Sequence, residues 1–376
     1  MSAIGTWQAA LVVALVVAGG AGGSTLVRAQ DAAPIAVLPF EVLGDAAAPV
    51  AAIREALLGS LAARRIALLD EEVLETFMRH HRVRYIGGLA LDTGQAIRAE
   101  TGAGAVLVTS VDLYAEKDPP RLALTSRLIS TGDRARILWM DSARMAGNEA
   151  PGFLGLGRID DPGVLREKVI ERLADSLARH LLRGEGQAAD APARARVPRR
   201  FRPRISSRSP GIQAAKKAPV RIAVLPFSDD STTRHAGDVL FLQVLKSLVD
   251  AGSAEILEPG VVREVLLKAR LVQEQGPSIP QADLLRALLE VDVVLFGEVI
   301  EYIEAGAGAA EPEIEFSIRA IDTARRQAIW SSVSHGRGDD GVFFFERGRV
   351  PTAHELASEM ARGLIERFLS SAEKTS

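Results

Sequence analysis

The 376-residue chain contains no cysteine. That excludes a disulfide framework, a thiolate nucleophile, zinc–thiolate and iron–sulfur sites, and an N-terminal cysteine for lipid attachment. Aromatic residues make up only 5%, asparagine occurs once (Asn148), and six histidines are scattered along the chain. No single sign of charge dominates: the net charge is −3 with 25% charged residues. A nucleic-acid binder that is basic throughout is thereby excluded, as is wholesale disorder, since 47% of the residues are apolar. The chain also lacks G-x-x-x-x-G-K-[ST], G-x-S-x-G, H-E-x-x-H and an EF-hand loop. Phosphate-cradle, serine-elbow, zincin and calcium chemistry therefore lose their usual signatures.

One long hydrophobic run is present, from Ala9 to Gly20, followed by small residues and Val27-Arg28-Ala29. About 12 apolar residues are short of the roughly 20 that cross a bilayer. The run reads as a signal peptide over residues 1–29, cut after Ala29, with an uncleaved anchor as the alternative. Either reading exports the protein, and without cysteine it is not a lipoprotein.

What the chain does have is the same unit twice. Ile35-Ala-Val-Leu-Pro-Phe40 returns as Ile222-Ala-Val-Leu-Pro-Phe227. Val73-Leu74 aligns with Val261-Val262, Ala105–Tyr114 with Val293–Tyr302, and Arg127–Thr131 with Arg319–Thr323. Trp139 meets Trp330, and Gly157-Arg158 meets Gly348-Arg349. The offset drifts only from 187 to 192. These landmarks define a first domain over 30–182 and a second over 220–372.

Within one copy, Ile35–Phe40 reads as a buried strand and Ile53, Leu57 and Leu61 as the stripe of an amphipathic helix. Ile66–Leu69 reads as a second strand, and Asp70-Glu71-Glu72 opens a helix to His80. A short helix near Gln95–Glu100 follows, then a strand over Ala105–Tyr114. Arg121–Ser130 and Arg136–Met145 form a hairpin around Thr131-Gly132-Asp133, and Ile170, Leu173, Leu177 and Leu181 mark a terminal helix. The fold class is α/β (α+β): two tandem domains, each a mixed sheet flanked by helices in the order β-α-β-α-β-β-β-α.

Residues 183–219 form the linker. From 183 to 217 it carries ten basic and two acidic residues, a net +8 that leaves −11 for the rest. Five prolines and few large apolar residues predict disorder. Its charge suits an anionic lipid or cell-wall surface, although it also suits a solvated spacer. Arg199, Arg200, Arg202 and Arg204 are its candidate contacts, with Arg158 and Arg349 as candidate partner contacts on the domains. Gly152, Gly155 and Gly157 do not open a helix after a first strand, so they do not make a dinucleotide site. His80 and His81 are adjacent and point to different sides of their helix. No catalytic, cofactor-binding or metal-ligating set emerges, and no nucleic-acid partner is expected.

The order of these motifs resembles the periplasmic α/β domain shared by the curli-secretion subunit CsgG, the lipoprotein activators of penicillin-binding proteins, and the N-terminal domain of TolB. The residues that carry it are Ile-Ala-Val-Leu-Pro-Phe, the strand Val293-Val-Leu-Phe-Gly-Glu-Val299, and the pairs Arg319-Ala-Ile-Asp-Thr323 and Ile329-Trp330. The resemblance covers most of each copy and implies a non-enzymatic, exported envelope protein that docks partner proteins, in the periplasm or at the periplasmic face of the outer membrane. It would need no cofactor, and oligomers are compatible with it. The alternatives are a ring-forming component of an outer-membrane secretion system and a protein that binds cell-wall polymer. Against a pore, the connections Ala115–Pro120 and Ile303–Pro312 are too short for membrane-spanning hairpins.

Overall fold

The structure, a computed structural model, describes residues 33–44, 48–117, 119–148, 158–183, 203–208, 219–271, 276–306, 311–340 and 349–370. The expected signal segment and the Gly152–Gly157 cluster lie outside the described residues. From Ala32 onward the chain forms one compact unit.

The first repeat runs β1 (Ile35–Val37), β2 (Glu41–Val42), α1 (Val50–Ala63), α2 (Glu71–His80), α3 (Leu91–Thr101), β3 (Ala105–Ala115), β4 (Arg121–Ser130), β5 (Ile137–Ala146) and α4 (Pro162–Arg183). After β6 (Arg204–Arg208), the second runs β7 (Val220–Val224), β8 (Ser228–Asp229), α5 (Ala236–Ala251), β9 (Ala254–Ile256), α6 (Pro259–Lys268) and α7 (Ile279–Leu289). It closes with β10 (Val293–Ile303), β11 (Glu313–Asp322), β12 (Gln327–Arg337) and α8 (Ala353–Ser370). The fold is mixed α/β with two mixed sheets, as the repeat pattern predicts. Sheet 1 has the order β1-β3-β4-β5 with β2 also on β3; sheet 2 has β6-β12-β11-β10-β7-β9 with β8 on β10. β1 and β2 run parallel to β3, and β7 and β8 run parallel to β10 with β9 parallel to β7, whereas β3-β4-β5 and β10-β11-β12-β6 are antiparallel.

Three local expectations change. The strand begun at Ile35 ends at Val37, because Pro39 has no N–H to give a ladder. Ile66–Leu69 forms only a single bridge, Leu68 to Ile35, although its counterpart in the second repeat is the strand β9. Leu181 lies exposed on the last turn of α4 and is not part of its buried stripe.

The linker is also not wholly irregular. Arg204–Arg208 pairs antiparallel with β12, and Ile205 packs against the core of sheet 2. This stretch holds no proline, and the β12 edge offers unpaired N–H and C=O groups that a strand satisfies. The other linker residues from 184 to 202 and from 209 to 218 lie outside the described residues.

Both sheets bury apolar residues on alternate positions. On one face of sheet 1, Leu107, Val111, Leu122, Leu124 and Leu128 meet α1 and α4. On the other, Val106, Val108 and Ile129 meet α2 and α3. Full burial of one such side chain is worth about 1.5–3 kcal/mol. The same arrangement recurs in sheet 2 with α5 and α8 on one face and α6 and α7 on the other. Unlike α1, helix α5 is buried nearly all round, because it packs on β5 of sheet 1 as well as on sheet 2.

Candidate docking surface

Helices α2 and α3 cover only part of their face of sheet 1. The remainder, carrying Ser110, Asp112, Thr125 and Arg144, is covered by α5 and α8 of the second repeat. A β-bulge between Val111 and Leu113 in the β3–β4 ladder aims Asp112 into this seam. Asp112 accepts from Ser110 Oγ at 2.5 Å and from Thr125 Oγ1 at 2.5 Å, and it meets His354 Nε2 at 3.0 Å. His354 and Asp112 are 1% and 0% exposed. The Gln243 amide of α5 lies 3.1 Å from the same imidazole nitrogen. Nearby, Arg144 on β5 pairs with the buried Glu355 at 2.6 Å.

A second cluster closes the seam at the other end of the strands. Arg127 on β4 pairs with Glu258 at 3.2 Å, with both side chains buried, and donates to the Gly87 carbonyl. Glu258 is the N-cap of α6, accepting from Gly260 N, and it also accepts from Leu89 N at 3.1 Å. The backbones approach so closely here that a Cβ on Gly260 would lie 2.3 Å from Leu89 N. Arg263 stacks 4.1 Å from the Tyr85 ring centroid, and burial pushes the Tyr85 phenol up to about 12. Burial likewise raises Glu41, with Asp238 and Asp112 adding to the rise and Arg127 opposing it.

A third contact joins Arg121 of β4 to Glu304 at 3.1 Å, and Glu304 also accepts from the Ala353 N–H at the start of α8. Burial outweighs the Arg121 charge and raises the Glu304 carboxyl to about 7.

Among the described residues, nothing covers the equivalent face of sheet 2 in this way. The bulge recurs between Val299 and Glu301, and Ile300 there takes the place of Asp112. Ile300 is 42% exposed and Val333 39% exposed. Val333 is paired with Ser317 in the ladder, as Ser142 is with Thr125 in sheet 1. β6 extends the surface: Ser206 Oγ lies 3.1 Å from Ser331 Oγ, and Arg204, exposed, stands beside Val333. Arg319 and His335 are exposed on the neighbouring positions, the latter bonded to Glu313 at 2.8 Å. The covered face of sheet 1 thus combines these polar groups with Met140, which joins the core of the second repeat, while its open counterpart carries Ile300 and Val333 alongside Arg319 and His335.

Of the six arginines singled out in the sequence, the structure places Arg204 on this face. Arg158 is exposed beside Asp160, 2.5 Å away, and Arg349 is bonded to Glu311. Arg199, Arg200 and Arg202 lie outside the described residues. The seam residues His354, Asp112 and Glu258 carried no sequence signal, because pairing across 242 or 131 positions leaves no local pattern. Arg127 did carry one: a charged residue repeated as Arg319 amid apolar strand positions. Among the described residues no cluster of three or more His, Asp or Glu is arranged to hold a metal, and no helix is long and apolar enough to cross a membrane.

No protein-family model matches the sequence, and no curated protein matches it. Among solved structures the chain is similar to the PelC dodecamer from Paraburkholderia phytofirmans, at 15% identity and a TM-score of 0.32 over 47% of this chain and 99% of that one. It is similar to lipoprotein GNA1162 from Neisseria meningitidis, at 15% identity and a TM-score of 0.28 over 40% and 99%. It is also similar to the LpoB C-terminal domain from Salmonella enterica, at 10% identity and a TM-score of 0.25 over 33% and 86%.

Proposed function

We propose that this chain is a non-enzymatic, exported scaffold of the bacterial envelope that docks proteins through its duplicated domain. The observation that carries the reading is the open face of sheet 2, with Ile300 and Val333 exposed where the matching face of sheet 1 is covered. The most chemically capable groups, His354, Asp112, Arg127 and Glu258, are buried and spent on joining the repeats. The motif order that resembles the CsgG and TolB N-terminal domain, the export segment and the absent lipidation cysteine support a periplasmic location.

In this reading the +8 segment acts as a tether to anionic lipid or cell-wall polymer, fastened to the scaffold at its middle by β6. Its arginines would each add about 1 kcal/mol near such a surface. Arg158 and Arg349 are secondary contact candidates: their exposed ion pairs are weak and exchangeable.

Site-specific photo-crosslinking in intact cells tests the docking surface. A probe at Ile300 or Val333 is expected to give crosslinked protein products, and a probe at Leu288, exposed on α7, is not. Equal yields from all three positions, or none from the first two, would overturn the reading.

A further inference from the structure

The seam is one repeat's sheet face laid on the other repeat's helix pair. Duplication supplies the parts of a second such junction, which no described residue covers: the open face of sheet 2, and the outer face of α1 and α4. On the latter Glu55, Gly59, Val164 and Glu167 are exposed.

Residues that meet across the seam can be matched with their counterparts on these two free faces. The pair Asp112–His354 becomes Ile300 and Gly163, and Arg144–Glu355 becomes His335 and Val164. Thr125, near Gln243, becomes Ser317, and Gln243 becomes Ala56. The first pair loses both polar members together, while in the other two the helix-side member turns apolar and the sheet side keeps the Ser317 hydroxyl and His335, the latter already bonded to Glu313 on its own sheet. An apolar isoleucine would face a glycine, which leaves it room. The fourth pair keeps its charges: Arg127–Glu258 becomes Arg319 and Asp70. Asp70 is the N-cap of α2, as Glu258 is of α6, and both Asp70 and Arg319 are exposed.

We propose that the open face of sheet 2 receives the α1/α4 face of a second copy of this chain, head to tail, with Arg319 of one copy pairing Asp70 of the next. It rests on the docking reading above and names the occupant. The junction is looser than the seam, because Glu72 stands where Gly260 permits the close backbone approach. Association is therefore reversible. A heterologous contact of this kind leaves one face of each type free at every stage, so assembly continues past the dimer until a ring closes or a filament grows.

Sedimentation of the full exported chain between about 1 and 100 μM tests this. The wild type is expected to move from monomer to assemblies larger than a dimer. Arg319→Asp and Asp70→Arg should each weaken association at least about tenfold, since like charges face each other. The double variant should restore it, and Asp70→Asn, which retains the helix cap, should weaken it without loss of fold. Mixed in equal amounts, the two charge-reversal variants pair opposite charges at both junctions they can form with each other, one wild-type and one reversed, and should co-assemble in alternation past the dimer although neither assembles alone. A wild type that stays monomeric, an Arg319→Asp chain that assembles normally, or a mixture that stays monomeric would overturn the inference. The photo-crosslink at Ile300 separates the two readings. A product of twice the chain mass supports the second copy. Products with other envelope proteins alone sink the second copy and keep the docking face, and no product removes both.

Discussion

His354 on the last helix meets Asp112 on β3 at 3.0 Å, across 242 residues of chain, with neither side chain exposed to more than 1%. The contact closes a network in which the Asp112 carboxylate also takes the hydroxyls of Ser110 and Thr125. It makes the two repeats depend on each other for the satisfaction of buried polar groups.

Removing that carboxylate should therefore weaken the whole unit. Asp112→Ala leaves three buried donors without their acceptor and is expected to cost about 2–4 kcal/mol. Urea unfolding of the wild type should show one transition for both repeats, and the variant should lower its midpoint. An unchanged midpoint would show that the contact does not form.

Arg127 and Glu258 offer a sharper version of the same test. Breaking a buried ion pair from one side costs about 3–5 kcal/mol, while replacing both members with apolar residues is often neutral. Arg127→Met alone should be severely destabilising, and the double variant Arg127→Met with Glu258→Leu should recover part of the loss. A double-mutant cycle with no coupling would exclude the pairing.

Gly260 should tolerate no side chain. A methyl group there would lie 2.3 Å from the Leu89 nitrogen, a backbone atom that cannot swing aside. Gly260→Ala is expected to cost about 1–3 kcal/mol by overpacking, although alanine favours a helix. A gain in thermal midpoint would contradict the close approach.

Glu304 sets a pH dependence with a definite sign. Its folded carboxyl titrates at about 7 against 4.5 in the open chain, because burial disfavours the charge. Between these values the folded state holds more protons than the unfolded state, so stability falls as pH rises from about 4.5 to about 7 and then levels. The fall amounts to about 3 kcal/mol at about 1.4 kcal/mol per pH unit. Glu304→Gln should remove this part of the slope, read as the difference between variant and wild-type urea midpoints over that range. Parallel curves would refute the assignment.

The basic segment should give a salt-dependent signature. Replacing Arg199, Arg200, Arg202 and Arg204 by Gln is expected to weaken binding to vesicles containing anionic lipid by about two to three orders of magnitude. Raised ionic strength should weaken wild-type binding in the same direction, since exposed charges are screened beyond about 8–10 Å. Binding that resists both changes would leave the segment a spacer.

Much of the fold was legible because it is written locally. Alternation in Arg121–Ser130, the four-residue spacing of Ile53, Leu57 and Leu61, and the acidic start at Asp70 each report a nearest-neighbour constraint, and the strand and helices lie where these put them. The duplication was equally plain, since repeated order survives drift in individual residues. The candidate surface was only partly visible. Arg204 reaches the open face solely because its segment adds a strand to β12, which prolines on either side had masked. Ile300 looked like one more apolar strand residue.

The sequence by itself determined the repeated unit, its secondary elements, the alternation that buries their apolar faces, and the separation of charge between the basic segment and the rest. Tertiary structure decided which face of which sheet is covered. α5 lies apolar on nearly all sides because two sheets press on it, while α1, at the equivalent place, keeps Glu55 and Gly59 in solvent. Side-chain periodicity reports only that a face is buried or exposed within its own element. What lies against it depends on how the repeats stack, and that was settled by pairs such as Asp112 with His354 and Arg127 with Glu258, whose members have no neighbourhood in common until the chain has folded.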